Sequence, residues 1–300
     1  MSQIPVAVFV GATSGIGRGM VQAFAHYFNG NAHIIIIGRN KDAAAQIINS
    51  FPKPTTTPES ASSSTLVQSV HEFIASDVSL ISNVHKLTKD LLKRLPRIDY
   101  LVLSPGVLVF VGRKETKEGL DEKMALSYYS RWTIINELRP LLRKAEIRGG
   151  ARVYSVLAAG MGDPAKIDLE DLELKKNHTI ARCMIAIQTY TDLMMQKLSS
   201  EEPSISFSHA YPGIVRTPMM SSSRWWLTII YYLFYPVISL FSLTSEAAGK
   251  VHMAACMASP PGFNSYGEMG QSLAYTPADE EIVERIWKHT VDVTDVRRTM

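Results

Sequence analysis

Apolar and polar positions fall into two kinds of block along this chain. Short, almost wholly apolar runs at residues 6–10 (VAVFV) and 33–37 (HIIII) read as strands buried on both faces. Between them, residues 16–28 carry apolar side chains at helical spacing. The alternation continues. Strands are expected at 69–77, 99–106, 151–160 and 205–213, with helices at 83–95, 124–144 and 179–199. Strands alternating with helices predict an α/β fold, a doubly wound parallel sheet of the Rossmann type.

Two segments break the pattern. Residues 51–65 (FPKPTTTPESASSST) are rich in Pro, Ser and Thr and read as a flexible surface insertion. Residues 225–243 (WWLTIIYYLFYPVISLFSL) are the most apolar stretch. Pro236, three tyrosines, Thr228 and two serines argue against a bilayer span. A substrate lid over residues 220–245 and a membrane-contact segment both remain open. No linker divides the 300 residues, so one domain covering 1–300 is expected.

Composition narrows the function classes. The net charge of +3 is small and the basic residues are scattered, which argues against nucleic-acid binding. Two cysteines, Cys183 and Cys256, make no disulfide framework, and a reducing compartment is expected. The N-terminus enters a strand pattern directly, without the charged and apolar regions of a signal peptide. A cytoplasmic protein, in reach of a membrane surface through 225–243, is the expectation. No residue pattern suggests a metal site.

The chemistry begins at GATSGIG, residues 11–17, directly after the first strand and opening the first helix. Gly11 permits the tight turn, Gly15 lets a pyrophosphate approach the backbone, and Gly17 allows close helix packing. Thr13, Ser14 and Ile16 complete the turn. Phosphates there would meet the free N–H groups and partial positive charge of a helix N-terminus. At the end of the second strand, an NAD-binding protein of this architecture would carry an acidic residue for the ribose hydroxyl. Here stands Arg39, which can fork onto a 2′-phosphate, with Arg18 nearby. NADP(H) is therefore the expected cofactor.

The glycine spacing, together with GRN (38–40), SDV (76–78), LVLSPG (101–106) and YPGIVRTPM (211–219), resembles the short-chain dehydrogenase/reductase family. The wording of LVLSPG, GLDEKMALSYYSR (119–131) and SISFSHAYPGIVRTP (204–218) is similar to its fungal secondary-metabolism branch. The resemblance implies an oxidoreductase acting on a bulky apolar small molecule, and a homo-oligomer. It implies that Asp77 and Val78 hold the adenine and that Ser104 to Gly106 lie beside the ribose. Pro212, Gly213, Val215 and Thr217 would adjoin the nicotinamide.

The family's proton-transfer residues are missing. None of the twelve tyrosines has a lysine four residues later; Tyr190 is followed at that spacing by Met194. Strand alignment puts the expected Tyr near Arg182, the Lys near Ala186, the Ser within 156–158 and the Asn at Ser127. Tyr190 and Lys197 share a helix face but lie about 10 Å apart along it. Ser155 is offset by one residue, which turns it to the opposite side of the sheet. Without the pair, an iminium or another pre-activated substrate suits hydride transfer better than an alcohol. Arg131 and Asp163 are the candidate catalytic residues. Arg131 can donate hydrogen bonds but, with a pKa above about 12, cannot shuttle protons; a structural ion pair is its other reading. Asp163 is either a proton or charge group beside the pocket or a turn residue before Pro164. A non-redox cyclase or isomerase, a membrane-associated lipid- or retinoid-type reductase, and a nucleotide-binding pseudoenzyme are the alternatives.

Overall fold

Among the described residues, six strands follow from the sequence blocks and three more are added, seven of the nine lying in one parallel sheet of order β3-β2-β1-β4-β5-β6-β9. The computed structural model describes residues 4–54, 69–106, 112–216, 242–275, 277 and 279–295. The sheet strands are β1 (Val6–Val10), β2 (His33–Gly38), β3 (His71–Ala75), β4 (Tyr100–Leu103), β5 (Arg152–Val156), β6 (Ser206–Ala210) and β9 (Gly262–Tyr266). A separate two-residue ladder joins β7 (Val215–Arg216) to β8 (Leu243–Thr244).

Side chains alternate across β1. Val8 and Val10 enter one apolar layer with Ile35, Leu101 and Leu138, whereas Ala7 and Phe9 enter the other with Ile34, Phe24 and Tyr154. The first layer is covered by α3 (Ile81–Arg94) and α5 (Ser130–Leu142). The second is covered by α1 (Gly15–Tyr27), α2 (Lys41–Asn49) and α7 (Ser245–Ala258). Close approach of α1 and α7 depends on small residues, because a Cβ on Gly249 would fall 2.2 Å from the Gly19 carbonyl carbon. A third cluster ties α6 (Ile180–Glu201) to α8 (Glu280–Val293) through Tyr128, Tyr190, Leu193 and Ile286.

The segment expected as one helix over 124–144 is composite. A short α4 (Glu122–Met124) is capped by Asp121, followed by a π-helical turn over Ala125–Tyr129, and then by α5. Such turns insert one residue and redirect side chains, often at functional sites. The strands expected at 99–106, 151–160 and 205–213 stop at Leu103, Val156 and Ala210. Their remaining residues form the loops at the carboxyl edge of the sheet. The helices α2, α7 and α8 and the strand β9 were not among the expected elements. β9 reads GFNSY, without the apolar run of the central strands β1 and β2, and lies at the sheet edge.

No helix among the described residues is long and apolar enough to cross a membrane. Residues 225–243 lie outside the described residues except for Ser242 and Leu243, as do 55–65 of the insertion.

Candidate active site

The strand order reverses between β2-β1 and β4-β5, and a cleft of about 230 Å³ opens there along the carboxyl ends of the strands. Gly11, at φ +81°, turns the chain out of β1. A Cβ on it would fall 2.6 Å from the Pro105 nitrogen. One on Gly17 would meet Ser104 Oγ at 2.2 Å, so α1 and the end of β4 touch because this position is bare. Ser14 caps α1 without a side-chain hydrogen bond, and no acidic residue occupies the first turn. The N–H groups at that end are thus left for an anion.

Arg39 follows β2, is exposed and lines the cleft. No ion pair engages it among the described residues. Asp77 and Val78 line the same end, where Asp77 Oδ1 accepts from the Ser79 N–H at 3.1 Å and from Ser79 Oγ at 2.7 Å. Thr13, Ser14, Gly15, Ile16, Ser104, Gly106 and Pro212 line the cleft as well. A bare glycine turn, an open helix end and a free guanidinium form a donor set that fits a phosphorylated dinucleotide.

Two expected positions fall elsewhere and a third is not described. Gly213 adopts φ +69° against Glu268, and Val215 is buried in the β7–β8 ladder; neither lines the cleft. Thr217 lies outside the described residues.

The other end of the cleft is walled by Leu126, Arg131, Val156, Leu157 and Pro212. Arg131 reaches it from the first turn of α5 and is 2% exposed. Its Nε donates to Ser155 Oγ at 3.0 Å, its Nη1 to the Ser127 carbonyl at 2.7 Å, and its Nη2 to the Val156 carbonyl at 3.0 Å. No carboxylate pairs with it among the described residues, so the structural ion pair open to it in the sequence is absent there. Desolvation by burial pushes the guanidinium down to about 9, below the range assumed from its residue type, yet it stays cationic at neutral pH. Ser155 is fully buried and meets Arg131 rather than the cleft.

The second catalytic candidate, Asp163, is not supported. It does not line the cleft; its carboxylate caps the turn Pro164–Lys166 and pairs with Lys166 at 2.9 Å. The Lys166 hydrogen bond holds it below the usual carboxylate range. It is the turn residue.

Arg182 and Ala186, the positions expected for Tyr and Lys, border a separate cavity with Tyr190. The Tyr190 hydroxyl donates to the Leu172 carbonyl, and burial pushes its pKa up. Lys197 pairs with Glu284 and lies over Trp287. Among the described residues, the ionisable side chains of the cleft are Arg39, Asp77 and Arg131, with no tyrosine or lysine.

One support was not foreseen. His209, fully buried on β6, donates from Nδ1 to Asp192 at 2.6 Å and accepts the Ala158 N–H on Nε2 at 3.2 Å. That bond makes Nε2 the acceptor and pins the loop that carries Leu157 into the cleft. The register Ser155 to His209 creates this contact, and it cannot be read from residue spacing.

Comparison with known proteins agrees with this architecture. The family model for short chain dehydrogenase matches residues 5–149. Oxidoreductase AN1596 of Emericella nidulans is 33% identical over 82% of this chain and 70% of its own length. Oxidoreductase andH of Emericella variicolor is 32% identical over 85% and 71%. Among solved structures, the alcohol dehydrogenase of Thermococcus sibiricus complexed with 5-hydroxy-NADP superposes with a TM-score of 0.59. That match has 15% identity and covers 91% of this chain and all of that one, a likeness of fold. The chain belongs to the short-chain dehydrogenase family of oxidoreductases.

Proposed function

We propose that the protein is an NADP(H)-dependent oxidoreductase of secondary-metabolite biosynthesis, acting on a bulky, largely apolar carbonyl compound. The observation that carries this reading is one continuous cleft, from the free Arg39 across the bare glycine turn to the buried Arg131.

The 2′-phosphate would rest on Arg39, the pyrophosphate on the N-terminus of α1, and the nicotinamide ribose beside Ser104 and Gly106. When bound, the nicotinamide supplies a hydride to the substrate carbon. Arg131 then does what a Tyr–Lys pair cannot do here. Its positive charge would stabilise the negative charge that develops on the nearby carbonyl oxygen, in a site walled by Leu126, Val156 and Leu157. Water provides the proton that completes the alcohol. A fixed cation also repels an iminium, so a carbonyl replaces the iminium as the reacting group in this reading.

Calorimetric titration of the protein with NADPH and NADH tests the reading. NADPH should bind at least about tenfold more tightly, the worth of one charge-assisted contact. Absence of binding by either nucleotide would remove the redox assignment.

A further inference from the structure

Arg131 is a buried cation facing the cleft, with no counter-ion among the described residues. Other arginines with little exposure solve this differently: Arg97 pairs with Asp99 and Glu146, and Arg139 with Glu201 and Glu202. Arg152 is surrounded by the carbonyls of Arg148, Gly149 and Gly150, and it lines no part of the cleft. Arg131 alone among these faces the cleft. A guanidinium has five N–H donors. Ser155 Oγ and the carbonyls of Leu126, Ser127 and Val156 take up to four, so one N–H remains without a partner among the described residues.

With no carboxylate on Arg131 among the described residues, a ligand in the cleft is the group placed to supply an anion. It is not the nucleotide's phosphates. Arg39 follows β2, the glycine turn follows β1, and the Arg131 guanidinium sits under the end of β5. Three strand spacings separate β2 from β5, roughly 14 Å, and two separate β1 from β5, roughly 10 Å. The cation therefore belongs to the substrate end.

We propose that the substrate carries an ionised oxygen acid, a carboxylate or an ionised enol, close to its reacting carbonyl, and that Arg131 is the residue that selects it. This rests on the reading of the cleft as a dinucleotide site. The apolar walls, Leu126, Val156, Leu157 and Pro212, would take the body of the molecule, and the open N–H its single anionic group. The selectivity has a physical source: a neutral isostere leaves the buried charge uncompensated, whereas the anion removes that cost.

The test compares 2-naphthoate with 2-naphthamide, two ligands of one shape that differ in charge, titrated into protein saturated with NADPH. NADPH binding is measured first, so that failure of the nucleotide reading is seen separately and takes this proposal with it. With NADPH bound, naphthoate should bind at least tenfold more tightly than naphthamide. The preference should vanish in Arg131→Gln and persist in part in Arg131→Lys. Equal binding, a preference for the amide, or no binding of naphthoate would overturn the proposal. The wild-type pair decides even where Arg131→Gln does not fold.

Discussion

The two ends of the cleft are built by different rules. At the β1–β2 end, backbone geometry does the work: glycines without Cβ atoms, a helix end with no side-chain cap bond and one exposed arginine. At the β4–β6 end, side chains do it: a buried arginine held by carbonyls and a serine, and a loop pinned by a buried histidine. The first end needs only a few residue types at fixed spacing. The second depends on contacts between distant elements, and there the usual tyrosine and lysine are absent. Under the proposed reading, a cofactor cradle persists while the reacting end is rebuilt around a different charge.

The largest expected effect is at the backbone-built end. Gly11→Ala places a Cβ against the Pro105 backbone at φ +81°, and should cost about 2–5 kcal/mol, read as a fall in thermal midpoint. Gly106→Ala meets nothing within 4 Å and should fall within about 0.5 kcal/mol of wild type. Equal losses in both would show that the turn is not set by steric fit.

A middle-sized effect belongs to the other end. His209→Leu leaves the Ala158 N–H and the Asp192 carboxylate without their partner and should cost about 1–3 kcal/mol. NADPH affinity should change less than about threefold, because the lost contact lies beside Leu157 rather than the glycine turn. A large loss of NADPH affinity in a folded variant would join the two ends that are separated here.

The smallest effect lies outside both. His85 sits between Glu137, 2.6 Å from Nδ1, and the Thr294 carbonyl, 3.1 Å from Nε2. Burial alone would lower its pKa, but the hydrogen bond and charge of Glu137 outweigh it and raise the value. A raised folded pKa gives stability that is complete below the unfolded value of about 6.5 and is lost as pH rises through the folded one. Melting curves across that window should show a modest decline for wild type and a flatter profile for His85→Gln, with NADPH binding unchanged in the variant. A profile that is identical in both would remove His85 from the account.

Legibility in the sequence follows the same division. The glycine turn and Arg39 were placed from their position at strand ends, and Asp77 and Val78 from the family resemblance; all of them line the cleft. Arg131 was legible as a charge near Ser127, but its burial, its lack of a carboxylate and its bond to Ser155 depend on how the π-helical turn rotates the start of α5. Asp163 was misplaced because following a strand does not make a residue face the cleft; its own turn captured the carboxylate. Leu157 and His209 were missed because the β5–β6 register, not local spacing, brings them to the site. β9 was missed because Gly262, Asn264 and Ser265 interrupt any apolar run in this edge strand.

The most direct test of the separation is a single NADPH titration of wild type, Arg39→Ala and Arg131→Lys. Arg39→Ala should weaken NADPH about 10- to 100-fold, the loss of charge-assisted hydrogen bonds to a phosphate. Arg131→Lys should stay within about threefold of wild type, since its charge serves the substrate end. Unchanged binding in Arg39→Ala, or an equal loss in both variants, would contradict the account.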